Sequence, residues 1–349
     1  MILMHQSAWR MPQWMPHWQQ SDAEMPVDYA NSDAAFLSDS IKGTSHEMTY
    51  GGALSFLRRK YTRDLKGVDI AVSGVPFDGA VTNRPGCRFG PRAIRGASTE
   101  LASLEAFPFG IDIFETLGVV DYGDCALNPH NPASIPEAIS THARSIIASG
   151  AKMLTFGGDH FVSYPLIRAH AEAYGPVALV QFDAHSDTWD DGGSPLNHGS
   201  MFLHAKEDQL IDVDHSIQVG LRSYNDRDHG FEILTSPWVH RNGVEAVIDR
   251  IISRVGDRPA YITFDIDCLD PAFAPGTGTP VPGGLASWQA LELIRGLKPL
   301  NMIGFDLVEV SPAYDHADIT AMAAANIAHD WLAVMAIKAG ATPKPVGNI

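Results

Sequence analysis

The feature that most constrains this chain is a repeated alternation. Short β-branched runs, "VDIAVSGV", "KMLTFGG", "VALVQFD", "SIQVGL", "AYITFDID" and "MIGFDLVEV", are nearly continuous in apolar character and end in glycine or charge. Strands with one wet face alternate apolar and polar residues. These do not, so both faces must be covered. Between them, "SIPEAISTHARSIIASG", "GVEAVIDRIISRVG" and "SWQALELIRGL" carry apolar residues three and four apart and stop near glycine, which predicts helices. Strand–helix alternation of this kind implies an α/β domain with a mostly parallel sheet flanked by helices. No internal repeat and no linker divides it, so residues 46–349 are read as one domain. Residues 1–45 differ. They are rich in Met, Pro, Trp, Gln and Asp, lack periodicity, and hold Trp9, Trp14 and Trp18. Aromatic anchors on a polar segment suit a partner surface, so these residues are read as an arm that packs on a neighbouring subunit.

Composition narrows the partners. The net charge of −16 argues against nucleic acid, which wants a basic face, and against anionic membranes. It suits a small cationic substrate. No apolar run approaches a membrane span, and the opening "MILMHQSAWRMPQWMPHWQQ" lacks the apolar core of a signal peptide. Cys87, Cys125 and Cys268 are too few and too scattered for a disulfide framework or a zinc knuckle. A reducing cytoplasm is the expected location.

In open parallel sheets, ligands bind beyond the carboxyl ends of the strands. Four segments put polar groups there: "TFGGDHF" with Asp159 and His160, "FDAHSDTWDD" with Asp183, His185, Asp187, Asp190 and Asp191, "TFDIDCLDP" with Asp265, Asp267 and Asp270, and "GFDLVEVSP" with Asp306 and Glu309. On an extended chain i and i+2 share a face, so Asp183, His185 and Asp187 should project together, as should Asp265 and Asp267. So many carboxylates in a low-dielectric crevice must protonate or be balanced by cations. Two divalent ions provide that charge. Oxygen-rich ligands with imidazole and no thiolate fit Mn2+, with Ni2+, Co2+ or Zn2+ as alternatives. Cys268 should point to the opposite face from Asp267 and pack.

These segments, together with "NHGSMF", "FDIDCLDPAFAPGTGTPVPGG" and "GVPFDGAVTNRPGCRFGPRAIR", resemble the ureohydrolases, the arginase–agmatinase family of binuclear manganese hydrolases. The resemblance spans roughly residues 45–340, and "PAFAPGTGTP" is closer to agmatinases and their guanidino-acid relatives than to arginases. It implies a three-layer arginase-like fold. It further implies that His160, Asp183, Asp187 and Asp265 hold one metal and that Asp183, His185, Asp265 and Asp267 hold the other, with Asp183 and Asp265 bridging. His198 would be the proton-shuttling histidine and Glu309 the carboxylate that holds the guanidinium group. The implied reaction yields urea and an amine, with agmatine the leading substrate. Guanidinobutyrate, guanidinopropionate, guanidine or a biguanide, with Ni2+ in place of Mn2+, are the alternatives. A homotrimer or homohexamer is expected, or a hetero-oligomer with a paralogous chain.

The residues around this core are read as structural. Among Arg84, Arg88, Arg92 and Arg95, the Gly-Pro pair before Arg92 marks a helix start. Asp190 and Asp191 are read as loop charges that could sit at the pocket mouth and favour a cationic tail, and His240 as a surface or core histidine. Two readings from other classes are a single-metal deacetylase of related fold and a non-catalytic subunit. Retention of both His160 and Asp267 opposes the first, and the complete ligand set opposes the second.

Overall fold

The computed structural model describes residues 33–190 and 196–344. The apolar runs form strands β1 (Ile70–Val75), β3 (Lys152–Gly157), β4 (Ala178–Phe182), β5 (Ile217–Leu221), β7 (Pro259–Asp265) and β8 (Asn301–Val308). Two further strands, β2 (Val119–Asp124) and β6 (Glu232–Thr235), were not expected from sequence. The sheet order is β2-β1-β3-β8-β7-β4-β5-β6, so both unexpected strands lie at its edges. The half-buried β6 lacks the continuous apolar run of a central strand, and the buried β2 is interrupted by Asp121, which pairs with Arg95. All neighbouring pairs are parallel.

Successive residues of a strand enter opposite layers. In β7, Ala260, Ile262 and Phe264 join a core that includes Trp331, whereas Tyr261 joins a second core with Leu166 and Phe202. Helices Ile135–Ile147, Ser163–Tyr174 and Met201–Glu207 cover the Tyr261 face. Helices Gly90–Ala97, Ser236–Val255, Ser287–Gly296 and Ile319–Lys338 cover the other, giving the three-layer fold. The expected helix after Gly243 is the second part of Ser236–Val255, which breaks at Gly243 (φ 83°).

The helix Ile319–Lys338 was missed as a span-length apolar element. It is long and apolar enough to cross a membrane, but 78% of its most apolar window is buried within the domain, and the Trp331 ring lies 5.5 Å from that of Phe305. An apolar helix buried on all sides is how a core helix reads.

Of residues 1–45, the described part from 33 onward packs on this chain's own sheet edge. Val119 N–H donates to the Ile41 carbonyl (3.3 Å), Gly43 N–H to that of Phe114 (2.9 Å), and Arg59 to that of Gly43 (2.8 Å). Together with Lys60 and Thr62, which exchange backbone hydrogen bonds with Asp121 (2.9 and 3.0 Å), Ile41 covers the open side of edge strand β2, where unpaired backbone groups would otherwise invite pairing with another chain. Trp9, Trp14 and Trp18 lie outside the described residues.

Candidate metal centre

Strands β3, β8, β7 and β4 are consecutive in the sheet. Their carboxyl ends therefore bring His160, Glu309, the Asp265–Asp267 pair and the Asp183–Asp187 stretch to one crevice. The convergence was expected, but its local cause is different. Strand β4 stops at Phe182, and Asp187 adopts φ 52°, so the D-x-H-x-D stretch is not an extended strand. Asp183 Oδ1 accepts the N–H of His185 (2.6 Å), and Asp265 Oδ1 accepts that of Asp267 (2.7 Å) at the start of the single turn Ile266–Cys268. Each aspartate thus closes a side-chain turn two residues ahead, which Asp does well. The turn fixes one carboxylate oxygen and aims the other.

Two groups result. His160 Nδ1 lies 3.0 Å from Asp183 Oδ2, 2.9 Å from Asp187 Oδ2 and 3.2 Å from Asp265 Oδ2. His185 Nδ1 lies 3.0 Å from Asp267 Oδ2 and 3.4 Å from Asp183 Oδ1. Asp183 belongs to both. An octahedral ion with ligands about 2.1 Å away separates adjacent donors by about 3.0 Å, so both groups have the spacing of an ion's ligand shell. His160 Nδ1 is buried and faces these three carboxylates, the position from which it would share an ion with them. The opposite nitrogen, Nε2, meets Thr263 Oγ1 at 2.8 Å. Thr263 in turn donates to Asp306 Oδ1 (2.5 Å), and Tyr261 donates to Asp306 Oδ2 (2.7 Å). With its own hydroxyl proton committed to Asp306, Thr263 accepts from Nε2–H, so Nδ1 is the nitrogen that would give its lone pair to an ion. Asp306 is therefore a mid-strand support and not a strand-end ligand.

The charges point the same way. Burial, then the neighbouring Asp183, pushes Asp187 up to about 7. Burial, with Asp267 and Asp183, holds Asp265 well above the carboxylate range. Burial would strip the histidines of protons, yet the carboxylates overcome it. His160 is held well above its ordinary value, and Asp267 and Asp183 push His185 up to about 12. The cluster demands positive charge, and divalent cations displace such protons when they bind.

Beside these groups stands a pair from other elements. His198 Nδ1 lies 3.1 Å from Glu309 Oε1, which also accepts the N–H of His160 (2.9 Å). Among the described residues Glu309 Oε2 is buried without a hydrogen bond of good geometry, as is Asp159 Oδ1, with the buried Cys87 thiol beside Glu309. Burial opposes a charge on His198, but Glu309 raises its pKa above the ordinary value. A cavity of about 290 Å3 opens onto the site, lined by Thr82, Trp189, Asn197, His198 and Thr279 together with His185, Asp187 and Asp265.

Sequence reasoning missed Thr82, Asn197 and Thr279, since isolated loop residues of these types carry no signal by spacing. All three nevertheless lie within quoted stretches, Thr82 in "GVPFDGAVTNRPGCRFGPRAIR", Asn197 in "NHGSMF" and Thr279 in "FDIDCLDPAFAPGTGTPVPGG". Gly158 does carry a signal in the "GGDH" motif. A Cβ there would lie 1.5 Å from the Phe77 carbonyl oxygen, so only glycine lets the 77–80 loop close over the end of β3. That loop then holds Asp159 through the N–H of Ala80 (2.8 Å).

The remaining candidates lie outside the cluster. Asp270 caps a turn by accepting from Gly283 and Gly284 (2.7 and 3.0 Å). Asp190 is exposed, 3.5 Å from Arg227, and Asp191 lies outside the described residues. His240 is exposed and meets the Gly283 carbonyl at 3.3 Å. Cys268 packs with its thiol toward the Val219 carbonyl (3.7 Å). Arg95 pairs with Asp121 and Asp124 (both 2.7 Å), Arg88 with Asp78, and the Arg84 guanidinium lies 5.1 Å from the ring centre of Tyr314. Pro91 opens the helix Gly90–Ala97 as expected.

A three-layer parallel α/β domain with adjoining His/Asp groups at the carboxyl ends of its central strands is the build of a metal-dependent hydrolase. The arginase family model matches residues 68–333, and the chain belongs to the arginase family, which implies a binuclear divalent metal centre. The agmatinase of Chromobacterium violaceum is 59% identical over 305 residues, 87% of this chain and 95% of that one. The agmatinase of Escherichia coli O7:K1 is 51% identical over 78% of this chain and 89% of its own. Among solved structures, a hypothetical agmatinase from Burkholderia thailandensis superposes with TM-score 0.86 at 56% identity, covering 88% of this chain and 98% of that one. The proclavaminate amidino hydrolase of Streptomyces clavuligerus does so with TM-score 0.77 at 38% identity, over 83% and 99%.

Proposed function

We propose that the protein hydrolyses agmatine to putrescine and urea at a binuclear metal centre. One observation carries this reading: two His/Asp groups share Asp183, and beside them an orphaned buried carboxylate oxygen of Glu309 adjoins His198. Relatives named agmatinases, identical at 59% and 51% over most of the chain, support the choice of substrate.

In this reading His160, Asp183, Asp187 and Asp265 hold one ion, and Asp183, His185, Asp265 and Asp267 hold the other. The bound ions supply a water activated for attack at neutral pH. Mn2+ is the proposed metal and Ni2+ the main alternative, because the ligands are hard oxygens and borderline imidazoles. Glu309 orients the planar guanidinium through charge-assisted hydrogen bonds. His198 carries the proton that the departing amine needs. We further propose a cytoplasmic homo-oligomer, trimer or hexamer, with a mixed oligomer containing a paralogue as the alternative.

Asp190, read as a loop charge that could favour a cationic tail, is exposed and lies 3.5 Å from Arg227. This observation keeps guanidinobutyrate, guanidinopropionate, guanidine and biguanides in contention. The test is a urea-release screen across these compounds and agmatine, on protein reconstituted separately with Mn2+ and with Ni2+. Agmatine should give the highest kcat/KM with Mn2+. Urea from none of them with either metal would end the reading.

A further inference from the structure

Two polar atoms of one residue converge on a single nitrogen of His198. The Thr82 backbone N–H lies 3.0 Å from His198 Nε2, and the Thr82 hydroxyl Oγ1 lies 2.7 Å from the same atom. The opposite ring nitrogen, Nδ1, faces Glu309 Oε1 at 3.1 Å. Neutral His198, with its proton on Nδ1, donates to Glu309 and leaves a lone pair on Nε2 that the Thr82 N–H satisfies. Charged His198 bears a second proton on Nε2, which the backbone N–H can only repel. The Thr82 hydroxyl then accepts it. One residue thus offers a donor to one protonation state and an acceptor to the other.

We propose that Thr82 is a positioning residue that holds His198 in both protonation states, so that the ring gains and loses a proton at Nε2 without reorienting. This rests on the reading of His198 as the residue that gives a proton to the leaving amine. The groups that face His198 are Glu309, Thr82 and, at longer range, Asp187 and Asp159. The loop that carries Thr82 is fixed on both sides. Ala80 N–H donates to Asp159 (2.8 Å), the Asn83 amide donates to the Gly278 carbonyl (3.2 Å), and Gly86 N–H donates to Asp78 (2.8 Å). His198 N–H reaches back to the Ala80 carbonyl at 3.5 Å. Thr82 and His198 both line the cavity.

Thr82→Val keeps the shape and the backbone N–H and removes only the acceptor, whereas Thr82→Ser keeps both. Two readouts on the full chain test the proposal. The first is the pH midpoint for diethylpyrocarbonate modification of His198, followed by peptide mass, which needs no turnover. Thr82→Val should lower that midpoint by about one unit, because the charged ring loses a charge-assisted hydrogen bond, and Thr82→Ser should restore it. The second is urea release from agmatine by the Mn2+-loaded enzyme. Here kcat should fall about 10-fold or more in Thr82→Val, with KM held within about threefold and metal content unchanged, and should recover in Thr82→Ser. An unshifted midpoint in a folded Thr82→Val overturns the proposal. So does a Thr82→Ser variant as impaired as Thr82→Val. A shifted midpoint in a protein that releases no urea from any guanidino compound would uphold the Thr82 contact and remove the proposed reaction.

Discussion

Replacing Glu309 by glutamine changes one charge and almost no volume, at a residue only 1% exposed. Its Oε1 is committed to the N–H of His160 and to His198. Among the described residues its Oε2 finds no well-formed hydrogen bond, and the backbone that presents it sits at φ 63°, outside the range most residues adopt. An orphaned buried carboxylate oxygen costs the free enzyme about 1–3 kcal/mol. That cost is explained if Oε2 waits for a cationic ligand. In Glu309→Gln the amide oxygen takes over the bond from His160, and the NH2 group points where guanidinium N–H donors arrive. Donor then meets donor. Losing one partner of a buried charge pair costs about 2–5 kcal/mol, so kcat/KM for agmatine should fall about 30-fold to several thousand-fold. The variant should stay folded, because side-chain volume and the bond from His160 N–H are kept. Metal content should not change, because Glu309 is in neither ligand group. The assay is urea release at saturating metal, with elemental analysis and a melting curve on the same preparation. A kcat/KM within about threefold of the parent would refute the role, as would a loss that tracks loss of metal.

Three other perturbations follow from the same geometry. Asp183→Asn touches both ligand groups and should abolish tight binding of both ions, whereas Asp267→Asn should spare the His160 group; equilibrium dialysis with metal analysis separates the two. Chelation of the loaded enzyme should lower its Tm by several degrees, since ions that bind only the folded chain stabilise it by mass action; an unchanged melting curve would count against the centre. Gly158→Ala should yield little folded protein, because its Cβ would meet the Phe77 carbonyl at 1.5 Å.

Acid should destabilise the metal-free chain through histidines remote from the centre. Burial chiefly holds His142, His170 and His329 neutral down to about 4. Unfolded, each takes up a proton near about 6.5, so the unfolded chain binds more protons between those values. Stability is therefore full above about 6.5 and is lost as pH falls toward 4, by up to about 3 kcal/mol per histidine. Denaturant midpoints across this window should fall less steeply in His142→Gln than in the parent.

The ligand residues were legible because their types are costly to bury and each set follows a buried-strand pattern. The reason for their convergence was not. Alternation along a strand predicts that Asp183, His185 and Asp187 share a face, but the chain turns at Asp183 and passes through φ 52° at Asp187. The Asp side chain itself closes that turn, and spacing does not distinguish a side-chain turn from an extended strand. Strand β6 was missed because a half-buried edge strand needs no continuous apolar run, and β2 because Asp121 and Asp124, both paired with Arg95, break its apolar run. The helix Ile319–Lys338 was missed because a helix covered all round has no polar face to set a period. Thr82 and Thr263 were missed for a different reason. Their value lies in which nitrogen they meet, and that is decided by loops and strands far apart in sequence.

The central claim is that two ions, held by groups sharing Asp183, make a site that releases urea. Titrating the metal-free chain with Mn2+ while following both bound metal and urea released from agmatine tests it most directly. The account predicts two equivalents bound per chain, with urea release reaching its maximum as the second fills. Full activity at one equivalent, or two bound equivalents with no urea released, would contradict it.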